Sequence, residues 1–118
     1  MSDIHLNKKI ERKYDSSWGY KRTILGFDSL KQVEVVEIIM QRGQKTRKHY
    51  HSAVTEMFYV LSGAITIRVE SDNIYLTKGD FLIVPPNKKH QIEADEDGTM
   101  IVAIKTPGDE KDRIFLEE

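Results

Sequence analysis

The stretch that decides the fold is SGAITIRVESDN, which spans residues 62–73. Ile65, Ile67 and Val69 alternate with polar residues, and this period of two is typical of a strand with one buried face. Turn-forming residues flank the alternation, with Ser and Gly before it and Ser, Asp and Asn after it. The pattern therefore predicts a strand between two turns.

Similar stretches recur along the rest of the chain. We predict further strands at residues 20–25, 33–40, 56–61, 74–77, 81–84, 90–94 and 99–105. No long run shows the helical period of about 3.6 with caps, and only residues 4–14 and 109–118 could hold either a helical turn or a short edge strand. The chain is thus predicted to be all-β, and its many short strands favour an antiparallel jelly roll or closed β-barrel.

The length of 118 residues, with 39% hydrophobic and 31% charged residues, predicts one globular domain. We expect residues 20–105 to form its barrel, 1–19 an N-terminal arm and 106–118 a C-terminal tail. A net charge of -1 offers no general field for nucleic acid or an anionic membrane, so neither is an expected partner. There is no Cys, which excludes disulfides and thiolate ligands. Because the first residues contain no apolar run, a cytoplasmic location is expected.

Residues 56–61 carry apolar side chains on both faces of the predicted strand. Phe58 and Val60 lie on one face, and Met57, Tyr59 and Leu61 lie on the other. The apolar side chains on the second face must be shielded from water by other residues. We predict a homodimer, and folding of the N-terminal segment over this face is the alternative.

Three of the four histidines form a pattern with one glutamate: His49, His51, Glu56 and His90. In a strand, residues two apart project from one face about 7 Å from each other, so His49 and His51 can share an ion. Glu56 has an odd offset, and the chain must turn before it to bring it beside the histidines on the neighbouring strand. His90 arrives from a third strand. Three neutral imidazoles and a carboxylate suit one divalent transition metal (Zn, Mn, Fe, Ni or Co).

The spacing of these residues resembles the first motif of the cupin family. That motif is a Gly, five residues, His-x-His, three or four residues, Glu, six residues and a Gly. Gly43, His49, His51, Glu56 and Gly63 match it at every position.

The second cupin motif is matched with two substitutions. Gly79, Pro85 and His90 occupy its positions, whereas Asn87 replaces a Gly and Ala94 replaces the final Asn. Asn tolerates left-handed backbone angles better than most residues, so we expect the first change to be mild. The resemblance implies a cupin-type β-barrel (double-stranded β-helix) with a divalent metal in its interior, held by His49, His51, Glu56 and His90.

The neighbourhood of the predicted site suggests an anionic ligand. Strand alternation places Lys45 and Arg47 on the face of His49 and His51, where Arg47 could hold a phosphate or carboxylate in fork geometry. The alternative is that both side chains are solvated. We therefore expect a small, anionic substrate or ligand, and we name no catalytic base.

Residues 18–20, Trp-Gly-Tyr, together with the small single domain resemble cupins related to phosphomannose isomerase. This resemblance implies an enzyme that isomerises a sugar phosphate or nucleotide-linked sugar by metal-assisted proton transfer. The chain departs from those isomerases because Arg47 stands where they carry a Gln, and because Glu56 follows His51 at a longer distance. Two alternatives stay open: an Fe-dependent dioxygenase of a small acid or thiol, and a non-catalytic cupin that binds a small molecule.

Overall fold

The computed structural model describes residues 4–26, 30, 32–108 and 112–116. Within these residues the chain forms strands and a single turn of 3₁₀ helix at Lys9–Glu11. This part contains no helix long and apolar enough to cross a membrane. The strands, in chain order, are β1 (Lys21–Leu25), β2 (Glu34–Met40), β3 (His49–Tyr50), β4 (Thr55–Ser62), β5 (Ala64–Val69), β6 (Asp72–Thr77), β7 (Phe81–Val84), β8 (His90–Ala94), β9 (Thr99–Thr106) and β10 (Ile114–Phe115).

The strands form two five-stranded sheets. The first has the order β1-β2-β9-β4-β7 and the second the order β10-β3-β8-β5-β6, with neighbouring strands antiparallel throughout. The predicted all-β class is confirmed. Of the two ends that the sequence left open, the first contains the 3₁₀ turn and the second contains β10, whereas residues 109–111 lie outside the described part.

The core consists of the inward-facing residues of both sheets. In β5, Ile65 and Ile67 are fully buried while Arg68 is exposed, as the alternation predicts. β5 ends at Val69, because Glu70 adopts a left-handed φ of 54° and turns the chain into β6. Each buried aliphatic side chain contributes about 1.5–3 kcal/mol. The core residues are Tyr20, Val36, Ile38, Met40, Phe58, Val60, Ile65, Ile67, Leu76, Val84, Ile92, Ala94, Ile101 and Ala103.

Two backbone positions of the motifs have a visible structural role. A Cβ added at Gly63 would lie 2.8 Å from the Thr99 Cα, so only glycine fits between β4 and β5. Asn87 adopts φ 67°, the left-handed conformation that the motif's Gly would supply, and its N–H donates to the His51 carbonyl at 2.7 Å. The loop before β8 is thereby attached to the segment that carries His51.

The chain crosses from one sheet to the other between His51 and Glu56. β3 belongs to the second sheet and pairs with β8, whereas β4 belongs to the first sheet. The prediction that Glu56 lies on the strand neighbouring His49 and His51 is therefore wrong, because the turn leads to the facing sheet. Glu56 consequently approaches the histidines across the interior.

The C-terminal segment 112–116 adds an edge to the second sheet beside the histidines. Ile114 and Phe115 form β10 and pair with Tyr50 and His49, and the Leu116 N–H donates to the Lys48 carbonyl at 2.9 Å. Residues that the sequence suggested as a tail thus lie against the strand that carries His49.

Candidate metal centre

The structure brings together the four side chains that the sequence predicts as metal ligands. His49 and His90 face each other on the paired strands β3 and β8, His51 directly follows β3, and Glu56 points from β4 of the facing sheet. All four are buried, and their ligand atoms lie within 4.8 Å of one another. This compact set of nitrogens and one carboxylate is a donor set that fits a divalent transition metal.

One carboxylate oxygen lies at the centre of the cluster. Glu56 Oε1 is 3.0 Å from Nε2 of His51, 3.0 Å from Nε2 of His90 and 4.0 Å from Nε2 of His49. Although burial raises the pKa of Glu56, the His51 and His90 ring nitrogens and the Lys105 charge outweigh it, so the pKa lies below its ordinary value. The carboxylate is therefore ionised.

The other nitrogen of each imidazole contacts a backbone carbonyl. The Nδ1 atoms of His49, His51 and His90 lie 2.7, 2.7 and 2.9 Å from the carbonyl oxygens of Arg47, Asp112 and Lys88, respectively. A carbonyl oxygen only accepts, so each Nδ1 must carry the proton. Each Nε2 is then the ring atom directed at the cluster, and its lone pair can ligate a metal.

The electrostatics of this cluster favour a bound cation. Burial lowers the pKa of His49 to about 3, with a smaller contribution from the nearby His90. The His49 imidazole is therefore neutral at physiological pH. At 3.0 Å the Nε2 atoms of His51 and His90 contact the ionised Glu56 oxygen favourably when a positive charge lies between them, either a proton in a hydrogen bond or a metal ion. A divalent metal supplies that charge, and the residues present fit it.

A cavity opens beside the cluster, and its wall includes His49 and Glu56. Lys105 also lines it, buried at 2% exposure and paired with Glu34 at 3.1 Å. Burial lowers the pKa of Lys105 from its ordinary value. The core residue Tyr20 is a further wall residue, and burial raises the pKa of its phenol.

The two residues predicted to bind substrate have different positions. Arg47 is exposed, lines the cavity, and stacks its guanidinium 4.0 Å from the centre of the Phe115 ring. Lys45 is exposed and forms an isolated bridge with Glu93, and it is not among the residues that line the cavity. β3 does not extend back to residue 45, and Thr46 is buried instead, with its hydroxyl accepting the Ile92 N–H at 3.0 Å.

Several residues of the site were not found from the sequence. Lys105 had a signal, since the alternation of β9 places it on the buried face with Ile101 and Ala103. Arg113 and Phe115 had none, because they follow no periodic pattern and reach the cavity only through the pairing of β10 with β3.

Asp112 holds the C-terminal segment against the metal centre. Its carboxylate accepts the backbone N–H groups of Ser52, Ala53 and Val54 at 2.7–3.0 Å, and its carbonyl accepts the Nδ1–H of His51. These hydrogen bonds hold the pKa of Asp112 at about 2 even though burial acts to raise it. Asp112 is thus a positioning residue that orients His51 and orders the turn between the sheets.

We expect Asp112→Ala to weaken metal binding about tenfold or more, because without the carboxylate that fixes residues 52–54 the Asp112 carbonyl is no longer held against His51. The dissociation constant for Zn²⁺ can be measured by competition with a chelating dye. Asp80→Ala is the matched control, because Asp80 accepts the Thr77 N–H at 2.8 Å in a different turn. Equal losses in both variants, or none in Asp112→Ala, would contradict this role.

The fold and the site together define a small β domain with a three-histidine, one-glutamate centre, and comparison with known proteins identifies its family. Residues 36–104 match the cupin domain, so the chain belongs to the cupin family. The resemblance found from the two motifs is therefore confirmed.

Similar proteins are diverse in activity. The chain is 39% identical over 67 residues to quercetin 2,3-dioxygenase of Bacillus subtilis, a match that covers 57% of this chain and spans only 20% of that enzyme. The structure of an RmlC-like cupin from Shewanella frigidimarina superposes with a TM-score of 0.79 at 26% identity, covering 92% of this chain and 95% of that one. A provisionally assigned sugar phosphate isomerase from Acidithiobacillus ferrooxidans gives a TM-score of 0.66 at 29% identity, covering 74% and 58%.

Proposed function

We propose that this protein is a metal-dependent cupin enzyme that acts on a sugar phosphate or nucleotide-linked sugar by metal-assisted proton transfer. The observation that carries the proposal is the buried cluster of His49, His51, Glu56 and His90 beside a cavity with Arg47 at its edge. The likeness to the provisionally assigned sugar phosphate isomerase supports it.

The four cluster residues would hold the metal. When bound, the metal supplies a positive charge that polarises a substrate carbonyl or hydroxyl oxygen. Arg47 binds the phosphate of the substrate, since its planar guanidinium matches phosphate oxygens in fork geometry. Lys105 and Tyr20 are the remaining wall groups that can exchange a proton with a sugar carbon or oxygen. The apolar wall residues exclude water from that step.

Proton exchange with solvent tests this proposal directly. The metal-loaded protein is incubated in D₂O with a panel of aldose and ketose phosphates and nucleotide-linked sugars, and NMR follows the C–H groups beside the carbonyl. We expect deuterium to enter one substrate, and chelator to stop the exchange. If no member of the panel exchanges, isomerase chemistry is wrong for this protein.

A dioxygenase is the second candidate, and the similarity to quercetin 2,3-dioxygenase favours it. The same ligand set suits Fe(II). Anaerobic loading with Fe(II), followed by measurement of oxygen uptake on small acids, thiols and flavonols, separates this candidate from an isomerase, which consumes no oxygen. Thermal stabilisation by a ligand without turnover in either assay would instead favour a non-catalytic binding protein.

The outward face of β4 and β7 supports the proposal of a homodimer. Tyr59, Phe81 and Ile83 are 40%, 49% and 56% exposed, so none of the N-terminal residues in the described part covers this face. An exposed cluster of large apolar side chains on an edge strand is a typical contact surface.

We expect sedimentation at micromolar concentration to give twice the chain mass of 13.7 kDa. Phe81→Asp should yield the monomer, because a carboxylate in the contact would be buried without a partner. Tyr75→Asp is the control, since Tyr75 is 71% exposed on β6 of the other sheet. A wild-type protein at the single-chain mass, or a control that dissociates equally, would refute this interface.

A further inference from the structure

Five side chains at the cavity are linked by contacts between cations and aromatic rings, and we call them the arginine–aromatic cluster: Arg22, Trp18, Arg113, Phe115 and Arg47. Trp18 has the Arg22 guanidinium carbon at 4.7 Å and that of Arg113 at 5.0 Å from its ring centre. Phe115 has Arg113 at 5.9 Å and Arg47 at 4.0 Å. All five residues line the cavity, and Phe115 also lies 5.9 Å from the His49 ring.

The aromatic rings position the guanidinium groups without neutralising them. A ring quadrupole attracts a cation at these distances, yet it carries no net charge. Among the described residues, neither Arg47 nor Arg113 has a side-chain hydrogen bond or a carboxylate partner. Their N–H groups remain available for a ligand.

Other charges of the cavity do not balance these two. Glu56 is the one carboxylate among the described lining residues, and it is directed into the metal cluster. Lys105 is already paired with Glu34. Within the part of the chain that the structure describes, Arg47 and Arg113 therefore leave two positive charges beside the metal centre for a ligand to satisfy.

Arg113 is held in place by the residues that precede and follow it in the chain. On one side the Asp112 carboxylate is fixed by the backbone of residues 52–54, and on the other β10 pairs with β3. A charge held at a fixed position binds an ion without first losing conformational freedom, which strengthens the interaction.

We propose that Arg113 and Arg47 together select a ligand that carries two negative charges, either on one phosphate or on two acid groups. The inference rests on the proposed function only in taking this ligand to be the substrate of the same site. It makes Arg113, on the C-terminal segment, a specificity-determining residue. Neutral and singly charged molecules bind less well because one guanidinium then stays unneutralised beside the metal.

Two pairs of probes that differ by a single charge test the proposal by titration calorimetry on the metal-loaded protein at pH 8. Methyl phosphate is compared with methanesulfonate, and succinate with its monoamide, succinamate. We expect the dianion of at least one pair to bind about tenfold more tightly than its monoanion, because only the dianion makes a second charge-assisted contact to a guanidinium. The pair that shows the preference distinguishes a phosphate site from a dicarboxylate site. Equal affinities within both pairs would overturn the proposal.

Variants assign the preference to the two arginines. Arg113→Gln and Arg47→Gln should each reduce it to about twofold or less, whereas Arg113→Lys, which keeps the charge but loses the fork, should retain part of it. Arg68→Gln is the control, because Arg68 is exposed on β5 outside the cavity. If Arg113→Gln keeps the full preference, or Arg68→Gln loses it, the assignment is wrong.

The metal content of every sample separates this inference from the proposed function. If the wild-type protein has full metal content and exchanges deuterium but shows no dianion preference, the selection of a dianion is overturned and the proposed reaction is not. Loss of metal-dependent exchange with the preference intact would overturn the proposed reaction alone.

Discussion

His90→Ala is expected to abolish stoichiometric metal binding. The His90 side chain is buried, faces His49 across the strand pair, and places Nε2 3.0 Å from Glu56 Oε1. Its loss leaves a cavity and too few ligands to replace the hydration shell of a divalent ion. Elemental analysis of protein purified without chelator or nickel resin should fall from about one metal per chain to background. His51→Ala should behave in the same way, because His51 also contacts Glu56 Oε1 at 3.0 Å.

His5 provides a matched control for these substitutions. It is the fourth histidine of the chain, and it lies exposed in the N-terminal segment. His5→Ala should retain full metal content. Circular dichroism must show that the His90 and His51 variants are folded, and His90→Gln provides a substitution that leaves less of a cavity. Full metal occupancy in folded His51→Ala and His90→Ala would show that the cluster is not a metal site.

Removal of the metal from the wild-type protein is expected to lower the melting temperature by roughly 10 °C or more. Without the ion, the metal–ligand bonds that join Glu56 of one sheet to His51 and His90 at the other are lost, and only their direct contacts at 3.0 Å remain. The folded state alone has a formed site, so a metal present at about a thousand times its dissociation constant stabilises that state by about 4 kcal/mol.

Differential scanning calorimetry before and after dialysis against a chelator measures this effect. Adding Zn²⁺ or Mn²⁺ back should restore the melting temperature. The His90→Ala variant is the control, and its melting temperature should not respond to the chelator. A wild-type melting temperature that is the same with and without metal would contradict metal binding at the cluster.

The strands and the identity of the four clustered residues could be predicted because their signals are local. Ile65, Ile67 and Ile92 are buried on one face of their strands, and one-sided burial imposes a period of two on any strand. The cupin motifs add the spacing of the histidines and Glu56, which follows from strand and loop lengths.

The direction from which Glu56 reaches the histidines could not be predicted. A turn between two strands can return to the same sheet or cross to the facing one, and the residues of the turn are compatible with both. The same limit applies to Lys45, whose expected position assumed a strand that continues back from His49. In the structure β3 begins at His49, and Thr46 is the buried neighbour.

The residues of the C-terminal segment that lie near the metal cluster also had no local signal. Asp112, Arg113 and Phe115 belong to a segment without a periodic pattern, and Asp112 lies 58 to 60 positions along the chain from the residues of the turn that it caps. Such a contact depends on which strand edge remains free after the two sheets have formed, and this is a property of the complete fold.

Alternation over a few residues was enough to predict short antiparallel strands from the amino-acid sequence, and motif spacing was enough to predict three histidines and a glutamate as the ligands of one metal. Only the tertiary structure decided that Glu56 faces the histidines from the opposite sheet and that Arg113, Phe115 and Trp18 complete the cavity. Burial patterns record whether a side chain faces inward, but they do not record which distant side chain it meets there.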